Sequence, residues 1–114
     1  MKKKSISAPF ELLITIVERG KSDKVCEILS VHDCQHNLIT LGEGTAKSAA
    51  SDIFGFGIVE REIIWSLVDP IMTNKILKTL NETLELDKPQ RGIAMTIPCN
   101  AASNLMLDIL GINY

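Results

Sequence analysis

The feature that most constrains the fold of this chain is a change of hydrophobic period that occurs twice in the same order. From Phe10 to Val17, apolar residues stand at nearly every position, which is typical of a strand buried on both faces. Segment 21–34 then spaces its apolar side chains three and four residues apart, as an amphipathic helix does. The short β-prone run Asn37 to Leu41 completes a β-α-β succession.

A second succession of the same kind starts with the doubly apolar run Arg61 to Val68. Asp69 and Pro70 follow as the N-cap and first residue of a helix, and Gly92 to Cys99 reads as a last strand. Two β-α-β units joined by a long loop predict an α+β fold of the ferredoxin-like type, the double split βαβ. Right-handed crossovers place both helices on one face of a single antiparallel sheet.

The other face of that sheet is predicted to stay uncovered and to be apolar. We assign to it five side chains, Leu13, Val17, Ile64, Val68 and Ala94. A contiguous apolar patch of this size is rare on a monomer, so self-association with closed cyclic symmetry is expected. We expect residues 1–9 to be a polar tail and residues 10–114 to be one domain that ends in a short helix at 101–114.

Composition excludes several classes of function. A formal net charge of −2 and a pI near 5.6 provide no general attraction to nucleic acid. The basic run 2–4 is not followed by a signal-peptide pattern, because Pro9 and Glu11 interrupt the apolar stretch. No apolar run reaches the roughly 20 residues of a membrane span, so no direct membrane insertion is expected. Three cysteines at unpatterned spacings favour the reducing cytoplasm.

The long loop between the second and third strands has the composition of an anion cradle. Gly42 and Gly44 are able to adopt positive φ and to expose backbone N–H groups, while Thr45 adds a hydroxyl and Lys47 a cation. A Walker-type phosphate loop is not present, because Ala46 stands where that motif needs glycine.

Three segments occur in the order and spacing of one known family: E-R-G-K-S-D-K-V after the first strand, G-E-G-T-A-K-S after the second, and L-D-K-P-Q-R-G-I-A-M before the fourth. From Phe10 to Cys99 the chain resembles the PII nitrogen-regulatory signalling proteins, in a divergent, PII-like form. The resemblance implies a cytoplasmic homotrimer that requires no cofactor and binds an effector, AMP, ADP or ATP, in clefts between subunits. The family's loops then assign nucleotide binding to Gly42, Gly44, Thr45, Lys47, Lys88, Gln90, Arg91 and Gly92.

The resemblance also implies that residues 43–60 contact a regulated protein, an enzyme or a transporter. Phe54 and Phe56 are the candidate partner-binding side chains, with packing against the body of the protein as the alternative. Two departures from the family are visible. The only tyrosine is Tyr114, so uridylylation of the loop is not expected, and no cation follows Arg91, so a mono- or diphosphate suits the site better than a triphosphate.

A rival interpretation keeps the fold and changes the ligand. His32, Cys34 and His36 are metal-capable side chains at alternate positions, which suggests a trimeric metal- or small-molecule-binding protein. A structural zinc site usually joins two separated ligand pairs, and no second pair stands near in sequence. A cysteine nucleophile with a histidine base has no identifiable third group here, so we expect no enzyme activity.

Overall fold

The computed structural model describes residues 10–44 and 59–100. It contains strands β1 (Phe10–Glu18), β2 (Asn37–Gly44), β3 (Val59–Val68) and β4 (Gly92–Cys99), with helices α1 (Ser22–Val31) and α2 (Pro70–Leu84). The element order β-α-β-β-α-β confirms the prediction. Strands β2 and β3 run further toward the long loop than predicted, because Gly44 still pairs with Val59.

The four strands form one sheet in the order β2-β3-β1-β4, and all three neighbouring pairs are antiparallel. At the centre, Ile14 of β1 lies opposite Trp65 on one side and Met95 on the other. This is the α+β, ferredoxin-like arrangement that the doubled β-α-β pattern predicts.

The two helices begin in different ways. Helix α2 is capped locally, since the Asp69 carboxylate accepts the Ile71 backbone N–H at 3.0 Å and Pro70 occupies the first turn, as predicted. The N-cap residue of α1, Lys21, makes no side-chain hydrogen bond to the first turn of the helix. Glu62 of β3 caps the helix from outside it, because its Oε1 accepts the Ser22 N–H at 2.9 Å. That hydrogen bond lowers the pKa of Glu62 below its ordinary value.

The core lies between the sheet and the two helices, and it corrects one prediction. Leu13, Val17, Ile64 and Val68, which the sequence pattern assigns to the uncovered face, are buried in the core. Ala94 packs against the same cluster. The helices contribute five further buried side chains: Val25, Ile28, Leu29, Ile76 and Leu80. The assignment is wrong because both faces of β1 and β3 are apolar. Alternation alone therefore does not show which of the two sets of side chains packs against the helices.

The opposite face of the sheet is apolar as well, but it consists of the other set of side chains. Cross-strand register places on it Leu12, Ile14, Ile16, Leu38, Ile63, Trp65, Leu67, Ile93, Met95 and Ile97. On the edge strands these side chains are open to solvent; Leu38 is 62% exposed and Ile93 50%. The prediction of an apolar face away from the helices therefore holds, with its residues exchanged.

Several predictions concern residues outside 10–44 and 59–100. They are the polar tail, the site residues Thr45 and Lys47, the partner-binding residues Phe54 and Phe56, and the C-terminal helix. Among the described helices, none is long and apolar enough to cross a membrane.

Candidate functional site

A cleft of about 350 Å³ opens at the end of the sheet where β1 ends and β3 begins. It is lined by Glu18, Arg19, Val59, Glu60, Arg61, Pro89, Gln90 and Arg91. Three guanidinium groups and two carboxylates therefore meet here, which leaves a local charge of +1. Guanidinium groups favour oxyanions such as carboxylate and phosphate, because they offer paired N–H donors that match two oxygens of the anion.

Antiparallel pairing brings two Glu-Arg dipeptides together at this cleft. The tetrapeptide I-V-E-R occurs at 16–19 and again at 58–61. Glu18 lies opposite Arg61 in the register of β1 and β3, and Arg19 forms an ion pair with Glu60. Each Glu-Arg dipeptide thus faces the other with its charges reversed, which is the favourable cross-strand arrangement.

Arg61 and Glu18 reach from the strands to the turn that leads into β4. An Nη of Arg61 donates to the Gln90 carbonyl oxygen at 3.0 Å. Gln90 adopts φ of +65°, a left-handed conformation that side-chain-bearing residues seldom take. Next to it, Arg91 places an Nη 3.6 Å from Glu18 Oε1. The turn is thereby held against the ends of β1 and β3, with Arg91 directed to the cleft.

Of the eight predicted nucleotide-binding residues, only Gln90 and Arg91 line this cleft among those described. Gly42 and Gly44 lie beside it in register, opposite Arg61 and Val59. Neither glycine uses the positive φ that glycine is able to adopt. Gly42 has a packing role, because a Cβ there would stand 2.8 Å from the Ile63 Cδ1 methyl.

Lys88 and Gly92, which are also predicted to bind nucleotide, each have a structural interaction of their own. The Lys88 ammonium forms an ion pair with Glu85 three residues earlier, and that pairing lowers the pKa of Glu85. Gly92 has φ of +137°, and a Cβ on it would lie 2.2 Å from the Ile16 carbonyl oxygen. Its lack of a side chain is required for the start of β4 to pair with β1, whether or not a ligand is bound.

Sequence reasoning missed Glu18, Arg19, Glu60 and Arg61, because what makes them neighbours is strand register. The repeated I-V-E-R was the available signal. Once 10–17 and 61–68 are taken as antiparallel partners, two Glu-Arg dipeptides at facing strand ends must meet.

A second cleft, of about 340 Å³, lies between the start of α1 and the end of α2. It shares Glu18 and Arg91 with the first cleft, so this ion pair stands between the two. Its remaining charged side chains are Lys21, Lys24, Asp23, Glu27 and Glu85, which give it a local charge of −1. The first cleft is the better place for an anion.

The metal-capable side chains of the rival interpretation do not converge. His32 Nδ1 lies 2.9 Å from the Ile28 carbonyl oxygen, so its ring is engaged by its own helix. Cys34 is buried, with its thiol 3.5 Å from the Leu67 carbonyl oxygen, and burial raises its pKa. Within residues 10–44 and 59–100, no group of three or more His, Cys, Asp or Glu side chains is placed to hold a metal ion.

Comparisons with known proteins identify the fold. No family model and no curated protein matches the sequence. Among solved structures, PII of Arabidopsis thaliana bound to citrate superposes with a TM-score of 0.64 over 82% of this chain and 77% of that one, at 14% identity. The chain therefore has a PII-like fold, which agrees with the resemblance seen in its sequence.

Proposed function

We propose that this protein is a cytoplasmic, PII-like regulator that binds a small anionic effector, an adenine nucleotide in the first instance, in clefts between the subunits of a homotrimer. Effector binding shifts the conformational preference of residues 43–60, and those residues inhibit or activate a target enzyme or transporter. The protein itself catalyses no reaction.

The observation that carries this proposal is the convergence of Arg19, Arg61 and Arg91 on one cleft of a PII-like fold. Arginine binds phosphate and carboxylate through the same paired N–H donors, so nucleotides and polycarboxylates are chemically related candidates. The structural neighbour was solved with a tricarboxylate, citrate. Citrate therefore belongs in the test beside AMP, ADP and ATP.

The sheet itself supports a cleft between subunits. Gly42, Arg61 and Glu18 form one row across the face away from the helices, and the next row, Thr40, Ile63, Ile16 and Ile93, begins the apolar part of that face. Copies that associate through the apolar rows would meet with the polar row at their rim. A neighbouring subunit would then complete the wall of the arginine cleft.

The position of the cleft also supports regulation through the long loop. Val59, Glu60 and Arg61 line the cleft and are the first described residues after segment 45–58. An anion bound in the cleft directly contacts the residues that follow the loop in sequence. A difference in affinity between two loop states is all that a regulatory shift requires.

Isothermal titration of the purified protein with AMP, ADP, ATP and citrate tests the ligand, and light scattering at micromolar concentration tests the assembly. We expect a mass of three chains and saturable binding of at least one nucleotide. A stable monomer contradicts the inter-subunit site. Binding of citrate without any nucleotide changes the effector class to polycarboxylates, and binding of none of the four removes the sensor function.

A further inference from the structure

Glu18 stands among the cations of the candidate cleft. It lies opposite Arg61 across the β1–β3 pair, and its Oε1 is 3.6 Å from an Nη of Arg91. The same side chain lines both clefts. An anion that reaches Arg61 and Arg91 must therefore approach a carboxylate of its own sign to within a few ångströms.

We propose that Glu18 determines which anions the cleft accepts, by acting as an internal counter-anion that a ligand must displace from Arg91. This inference rests on the proposed anion-binding function. Glu60 pairs with Arg19 in the same cleft, and with Glu18 counted as well the cleft retains a local charge of only +1. The ligand class that fits is a phosphomonoester or a small carboxylate, and each further phosphate of a di- or triphosphate adds repulsion from Glu18.

The repulsion is large enough to measure. Two like unit charges about 5 Å apart in water weaken binding by about fourfold, and by more where protein lowers the effective dielectric constant. Removing the charge of Glu18 should thus strengthen AMP binding by about fourfold or more. ATP carries two more negative charges than AMP and should gain about threefold more if those charges lie about 12 Å from Glu18.

The substitution Glu18→Gln is expected to leave the fold intact. The Arg91 and Glu18 side chains are 46% and 43% exposed, and ion pairs this open to water contribute little to stability. Glu82→Gln is the matched control, since it makes the same change of formal charge on an exposed position of α2 and lines neither cleft.

The experiment titrates the wild-type protein, Glu18→Gln and Glu82→Gln with AMP and ATP by calorimetry at one low salt concentration. Thermal unfolding of the ligand-free proteins verifies that all three fold. Tighter binding in Glu18→Gln alone, with ATP gaining more than AMP, supports the inference. Nucleotide binding that appears only in Glu18→Gln supports it too.

Two other results separate failure of the inference from failure of the proposed function. If the wild type binds nucleotide and Glu18→Gln gains no more than Glu82→Gln, or gains equally for AMP and ATP, Glu18 does not select the ligand and the sensor function stands. If none of the three proteins binds either nucleotide, the nucleotide effector and this inference are both overturned.

Discussion

Replacing Gly92 by alanine should be among the most damaging single changes in the described part of the chain, for a reason independent of any ligand. The residue has φ of +137°, which only glycine adopts readily. An added Cβ would lie 2.2 Å from the Ile16 carbonyl oxygen and 3.2 Å from the Val17 Cα. Both are backbone atoms of β1, so no side-chain rotation relieves the clash.

The expected loss of stability combines two contributions. Backbone strain at a glycine-only conformation costs on the order of 1–3 kcal/mol. Moving β4 away from β1 at this end gives up one or two backbone hydrogen bonds, at about 1 kcal/mol each. The sum is about 2–5 kcal/mol. With an assumed m-value of about 1.5 kcal/mol/M, the urea midpoint falls by about 1–3 M.

Two other glycines serve as graded controls. Gly20 has φ of +93° but no atom within 4 Å of an added Cβ, so Gly20→Ala carries strain alone, about 1–2 kcal/mol. Gly44 lies in β2 without positive φ, and a Cβ added there would make ordinary contacts of 3.7 and 3.8 Å, so Gly44→Ala should be neutral or slightly stabilising.

Urea unfolding followed by circular dichroism, at one fixed protomer concentration, measures the series. The expected order of stability is Gly44→Ala, then Gly20→Ala, then Gly92→Ala. A Gly92→Ala protein as stable as Gly20→Ala would refute the steric reasoning. That result would mean that the pairing of β4 with β1 does not require glycine at position 92, which would leave ligand binding as the reason for the glycine.

Three further predictions concern single side chains. Thr15 is fully buried, and its hydroxyl has no hydrogen-bond partner among the described residues. Thr15→Val should therefore raise the free energy of unfolding by up to about 1 kcal/mol, whereas a decrease of the same size would reveal an unseen hydrogen-bond partner. The hydrogen bond from the Ser22 N–H lowers the folded-state pKa of Glu62. The contribution of Glu62 to the free energy of unfolding is therefore complete above its unfolded pKa of about 4.3, and it disappears as pH falls through the folded pKa. The stability deficit of Glu62→Gln against wild type should therefore shrink on acidification in urea titrations; a deficit independent of pH contradicts the capping role. Arg91→Ala should weaken AMP binding roughly ten- to a hundredfold, because Arg91 lines the cleft. Lys88→Ala should change AMP binding by less than about threefold, because the Lys88 ammonium is paired with Glu85 outside the cleft. Equal losses of affinity in calorimetry would contradict this placement of the two cations.

The fold was predictable because its determinants are local. The change from doubly apolar strands to helical spacing, and the Asp69-Pro70 start of α2, are visible in the sequence and appear in the structure. The burial parity of β1 was not predictable, since Leu12 and Leu13 are equally apolar and only the packed helices distinguish them.

The site was predictable only where the chain itself carries it in one segment. Gln90 and Arg91 stand together in a turn, and the resemblance to PII proteins was enough to assign both to one candidate site; both line the same cleft. Arg19 and Arg61 are 42 positions apart, and their proximity depends on the register of β1 with β3. Whether Gly42 uses its freedom of φ likewise depends on where β2 ends, which a propensity argument fixes poorly.

The place of the cleft follows from topology more than from particular side chains. In the order β3-β1-β4, the start of β3, the end of β1 and the turn before β4 necessarily meet at one corner of the sheet. A chain only 14% identical to PII of Arabidopsis thaliana can therefore have the same arrangement of strand ends while different side chains stand there. On the function proposed above, an effector binds at this corner and this chain's own Glu-Arg pairs determine which effector it is. Glu18 and Glu60 reduce the charge of the three arginines to +1, so the proposal expects a small, lightly charged anion to bind in preference to a triphosphate.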